Sequence, residues 1–121
     1  MPKHNQKLGK YGETLARNWL ETNNYQILFQ NWRFEHLEID IVCQKSNQLV
    51  FVEVKTTFAK TGFFPEMNIS HQKQERLRRA AAAFYHKNPS YTELPARFDV
   101  LAITVFSDQQ PEIHPIEDAF R

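Results

Sequence analysis

Apolar positions fall on a helical period at the start of the chain and on a strand period through its middle. Between residues 7 and 23, Leu8, Tyr11, Leu15, Ala16, Trp19 and Leu20 recur at helix spacing and predict an amphipathic helix. Asn23 and Asn24 close it, because asparagine tolerates the left-handed backbone that ends helices. Residues 25–34 (YQILFQNWRF), dense in aromatic side chains, predict a strand. Residues 37–44 (LEIDIVCQ) and 49–57 (LVFVEVKTT) predict two more, joined as a hairpin by the turn cluster Lys45, Ser46, Asn47 and Gln48. Residues 58–69 hold Gly62 and Pro65 with no period and predict a loop flanking the site. Ser70 is a good N-cap for a second helix running to about His86, with Leu77, Ala80, Ala81 and Phe84 as its apolar face and Asn88-Pro89 as its stop. Residues 98–106 (FDVLAITVF) are apolar at both parities and predict an interior strand covered on two sides. Residues 112–116 predict a short last strand, placed at an edge by Pro115. The order αβββαβ(β) predicts an α/β sandwich, a central mixed sheet flanked by helices.

Size and composition narrow this picture. A chain of 121 residues, 41% hydrophobic and 24% charged, predicts a single domain spanning 1–121. No apolar run approaches the roughly 20 residues of a membrane span, and the start MPKHNQKLGK lacks the apolar stretch of a secretion signal. With one cysteine, Cys43, an internal disulfide and a cysteine-based zinc cluster are excluded, so a cytoplasmic protein is expected. The net charge of +1 does not announce a nucleic-acid binder, so any basic surface must be local.

The chemistry is concentrated in the hairpin. Strand alternation puts Glu38 and Asp40 on one face of LEIDIV, with Ile39, Ile41 and Cys43 on the other. It likewise puts Glu53 and Lys55 on one face of VFVEVKT, opposite Val50, Val52 and Val54. A turn pairing Lys45 with Gln48 then sets Asp40 directly across from Glu53 and Glu38 across from Lys55, with Cβ atoms about 5 Å apart. Two facing carboxylates repel, and a hard cation such as Mg²⁺ or Mn²⁺ would relieve the repulsion while leaving positions for water and phosphate. An ammonium at its edge, Lys55, could hold a phosphate or steady the developing charge. The bland alternative stays open: Glu38 and Lys55 form a cross-strand ion pair, and Asp40 and Glu53 lie on a wetted face.

Several ordered motifs together resemble a known family. GKYGETLARNWL, NWRF followed by LEIDIV, LVFVEVKT, the basic second helix, RFDVLAI and the closing EDAF are similar to the YraN-type uncharacterised proteins. These look like PD-(D/E)xK endonucleases, with a restriction-endonuclease-like fold, related to archaeal Holliday-junction resolvases. The resemblance implies Asp40 and Glu53 as metal ligands, the Val54 carbonyl completing the shell, Lys55 as the catalytic lysine, and Glu13 and Glu38 as supporting acids. Leu37 stands where the family usually has glycine and Thr57 where arginine is common, which bears on close approach of substrate and on one phosphate contact.

The implied activity is metal-dependent hydrolysis of DNA, selective for branched, flapped or single-stranded junctions because no base-reading element is evident. Lys73 and Arg76 on the basic second helix are the expected backbone contacts, whereas Arg78, Arg79 and Lys87 read as a solvated face. Phe63 and Phe64 are expected to anchor their loop, and Arg97 and Asp99 to form a structural ion pair. The five histidines lack metal-ligand spacing, and His36 is placed near the site only by its closeness to Glu38. The rival functions are a nuclease-fold module that binds without cutting and an assembly protein that happens to share the hairpin charges. A symmetric dimer would suit a two-fold junction, by analogy alone.

Overall fold

Each predicted element forms. In a computed structural model, residues 3–59 and 69–121 are described. The elements are α1 (Lys3–Thr22), β1 (Gln26–Phe34), β2 (Leu37–Lys45), β3 (Gln48–Ala59), α2 (His71–Lys87), a 3₁₀ turn (Pro89–Tyr91), β4 (Ala96–Phe106) and β5 (Glu112–Phe120). α1 ends at the asparagines, with Asn24 at φ 69°. Ser70 caps α2, its hydroxyl accepting the Lys73 N–H at 3.2 Å.

The strands lie in sequence order, β1-β2-β3-β4-β5. All pairs are antiparallel except β3 with β4. That parallel pair needs a crossover, which α2 supplies. Two apolar cores result, one per face. Ala16 and Leu20 of α1 close over Ile41, Cys43, Val50, Val52, Leu101 and Ile103. Leu77, Ala80, Ala81 and Phe84 of α2 close over Ile39, Val42, Leu49, Phe51 and Phe98. The five-stranded mixed sheet with a helix on each side is consistent with a restriction-endonuclease-like fold. β4, covered on both faces as its sequence predicts, sits between β3 and β5.

Three expectations change. β5 is longer than expected, reaching Phe120, because Phe120 stacks on Phe98 with ring centroids 4.8 Å apart. Pro115 is tolerated in it because β5 is an edge strand. β3 continues through Ala59, into what composition marks as loop; the rest of that stretch, with Phe63 and Phe64, lies outside the described residues. Ile39 leaves the face it was expected to share with Ile41 and Cys43 and joins the α2-side core. Alternation breaks between Ile39 and Ile41, where β1 carries Asn31 at φ 52° between the pairs Gln30–Ile41 and Trp32–Ile39. The change of face falls at Asp40.

Candidate active site

The hairpin turns as predicted, with Lys45 paired to Gln48 and the register running back to Ile41 opposite Val52. The ladder then stops. Asp40 and Glu53 do not form the next rung: the Asp40 carboxylate bends across and accepts the Val54 N–H at 2.8 Å. This corrects the directly opposed pair expected from the sequence. An acidic side chain that accepts an amide gains a hydrogen bond of about 0.5–1.5 kcal/mol, which a rung of facing carboxyls would forgo. The N–H and C=O of one strand residue point toward the same neighbouring strand, so the Val54 carbonyl is aimed into the same gap.

The carboxylates nevertheless converge. Glu53 is buried, 8% exposed, and its charge acts on Asp40. Burial first, then the charge of Glu53, push the Asp40 carboxyl up from its ordinary 3.8 to about 8, with a weaker push from Glu13 and an opposing pull from the Val54 amide. A carboxyl that holds its proton this far up is one whose negative charge is under-compensated where it sits.

Glu13 reaches the site because of a glycine. Gly12 is buried against β3, and a Cβ built there would lie 1.9 Å from Thr56 Oγ1 and 2.8 Å from Thr56 Cβ. Only a bare backbone lets α1 approach so closely. The sequence carried a signal for this: an isolated glycine inside a helical pattern costs about 1 kcal/mol against alanine and so usually has a packing reason.

A cleft of about 820 Å³ opens over these groups, lined by Leu8, Gly9, Glu13, His36, Leu37, Glu38, Asp40, Glu53, Val54, Thr56, Thr57, Phe58, Lys73, Arg76 and Leu77. It sits on the carboxyl-terminal half of β3, the strand end at which open α/β sheets bind ligands. Lys73, from the first turn of α2, ion-pairs with Glu53. Arg76, one turn on, lines the same wall. Glu38 lines the cleft while pairing with Arg33 at 3.4 Å, not with Lys55. Lys55, two residues beyond Glu53 and half-buried, is not one of the lining residues. Sequence reasoning missed Phe58, 56% exposed at the rim, having assigned it to a loop.

Among the described residues no trio of His, Cys, Asp and Glu side chains is arranged as a metal cage. A shell here would therefore combine Asp40 and Glu53 with the main chain at Val54 and water. Among the described residues, acids outnumber bases along the cleft, four to two (Glu13, Glu38, Asp40 and Glu53 against Lys73 and Arg76). A polyanion would be repelled from such a floor unless a cation were added. Cys43 offers no alternative chemistry: burial, then the charge of Asp99, raise its thiol to about 12.

Comparison with known proteins gives a family. The profile of the family described as "Uncharacterised protein family UPF0102" matches residues 12–103, a stretch holding Glu13, Asp40, Glu53, Lys55 and Lys73. A UPF0102 protein of Natranaerobius thermophilus is 39% identical over 118 residues, covering 97% of this chain and 99% of the relative. Another, from Geobacter metallireducens, is 41% identical over 120 residues, covering 99% and 97%. One from Treponema pallidum is 38% identical over 122 residues, again covering 99% and 97%. The chain belongs to the uncharacterised protein family UPF0102.

Proposed function

We propose that this protein is a metal-dependent nuclease that hydrolyses DNA phosphodiesters, recognising the shape of a branched, flapped or single-stranded junction more than its sequence. The observation that carries this reading is the Asp40–Glu53 carboxyl pair, Glu53 buried and Asp40 half-buried, under-compensated at the floor of an open cleft. Such a pair fits Mg²⁺ or Mn²⁺, which prefer carboxylate and carbonyl oxygen. Asp40, Glu53 and the Val54 carbonyl would hold the ion. When bound, it supplies Lewis acidity that lowers the pKa of a water and offsets phosphate charge.

The chain's own residues do the rest. Glu13, on the α1 wall, accepts a proton from the attacking water or orients it. Glu38, exposed and paired with Arg33, is a supporting acid at the cleft mouth. Lys73 and Arg76 hold the DNA backbone from the α2 wall without reading bases. Lys55, two residues beyond Glu53 on the same strand, is the residue that matches the lysine of the motif. A cytoplasmic location fits the buried, unpaired thiol of Cys43. In addition, no helix among the described residues is long and apolar enough to cross a membrane.

The test is cleavage of a branched DNA with Mn²⁺ by wild type, Asp40→Ala and Glu53→Ala. Cleavage by wild type with a loss of at least about 100-fold in both variants is expected. Equal traces in all three preparations would mean a contaminating nuclease. Binding of the same DNA without cleavage would leave a docking module on a nuclease fold.

A further inference from the structure

Lys73 stands where an entering metal ion would need room. Its ammonium contacts Oε2 of Glu53, an oxygen that a metal held by this carboxyl pair would seek. The two partners are unequally held. The Glu53 side chain is 11% exposed and fixed in β3, while that of Lys73 is 55% exposed on a flexible four-carbon stem. The main chain of Lys73 is pinned by the Ser70 cap, so the ammonium can move while its root stays still. Arg76 follows on the next turn, and residues three apart are neighbours on a helix surface.

From this geometry we propose that Lys73 is the resident counter-cation of the site: a divalent ion seating on Asp40 and Glu53 displaces its ammonium, which then joins Arg76 in gripping a substrate phosphate. The proposal rests on the metal-dependent reading above and deepens it. An ammonium and a divalent ion crowded onto one carboxylate oxygen repel each other as like charges at short distance, which favours release of the more mobile of the two. Exchange also keeps the cleft supplied with positive charge at every stage. Without metal, Lys73 offsets the carboxyl pair. With metal, it faces the phosphate. A purely structural salt bridge would behave differently, since removing it would cost stability and leave metal affinity unimproved.

The experiment is calorimetric titration of the full chain with Mn²⁺ alone, using wild type, Lys73→Met, Lys73→Gln and Arg76→Met. Loss of the competing contact should raise Mn²⁺ affinity about three- to tenfold in both Lys73 variants, the range set by ion-paired hydrogen bonds at part-buried sites. Arg76→Met removes the same charge from the cleft wall without touching Glu53, and should change affinity less than about twofold. Unchanged or weaker binding by the Lys73 variants overturns the exchange and, if wild type binds, leaves the metal site standing. A rise in Arg76→Met equal to theirs also overturns it, because the general field would then be the cause. Absence of binding in every protein removes the metal site and the exchange together. A second arm measures anisotropy of a labelled branched DNA. Lys73→Met should lose several-fold more affinity in Ca²⁺ than in chelator, and equal losses would overturn release of the ammonium.

Discussion

Asp40 is the residue whose ionisation the fold works against. Its carboxyl titrates near 8 in the folded chain and near its ordinary 3.8 when unfolded. Between those values the folded state keeps a proton that the unfolded state has released, so stability falls as pH rises. In chelator, urea unfolding between about pH 5 and pH 8 should therefore show declining stability, at up to about 1.4 kcal/mol per pH unit. Asp40→Asn should flatten that slope, and Mn²⁺ should restore stability to wild type at the alkaline end. A flat wild-type profile would show the carboxyl pair to be compensated already, and the argument for a cation would fall with it.

Helix α1 is placed by its two glycines in opposite ways. A Cβ at Gly9 would meet nothing within 4 Å, whereas one at Gly12 would collide with Thr56. Gly9→Ala should then stabilise the protein by about 0.5–1 kcal/mol, through helix propensity alone. Gly12→Ala gains the same propensity but must push α1 off β3, an overpacking cost of about 1–3 kcal/mol. Paired denaturation curves check the contrast, and a stabilised Gly12→Ala would refute the close approach. Because Glu13 is the next residue, Gly12→Ala should also weaken Mn²⁺ binding in the titrations above. α2 is legible in its sequence from cap to stop: Ser70 accepts its amide, and Leu77, Ala80, Ala81 and Phe84 are all buried. Local chemistry is enough for such a helix, since its capping groups and apolar period lie within one segment.

Across the whole molecule, stability and chemistry occupy opposite ends of the parallel strand pair. At the end away from the cleft, Arg97 grips Asp99 in a bidentate pair at 2.9 and 2.7 Å. It also donates to Gln48 at 3.1 Å and to the Tyr25 hydroxyl at 2.9 Å. Asp99 in turn accepts the Asp118 N–H at 3.0 Å, tying in β5. The structural ion pair expected from RFDVLAI is thus a node joining the start of β3, β4, β5 and the residue before β1. Asp99→Ala strands a part-buried guanidinium and should cost about 1–3 kcal/mol in chemical denaturation. Mn²⁺ affinity should hold wherever the variant remains folded, and a parallel loss of both would show that the two ends are coupled.

The sequence by itself determined the elements and the hairpin register from Lys45–Gln48 onward, and it singled out the acids that the fold gathers along one cleft, because period, turn chemistry and capping act over a few residues. It could not show that the ladder stops at Ile41–Val52, since strict alternation has no place for the change of face at Asp40 or for a side chain that captures the Val54 amide. Nor could it bring Lys73 to Glu53 or Glu13 to Asp40. Those pairings, one an ion pair and the other a shared cleft wall, join residues 20 and 27 positions apart through helix packing on opposite faces of the sheet. Tertiary structure alone decided which cation meets the carboxyl pair, because that choice depends on where two helices land and not on any spacing within them.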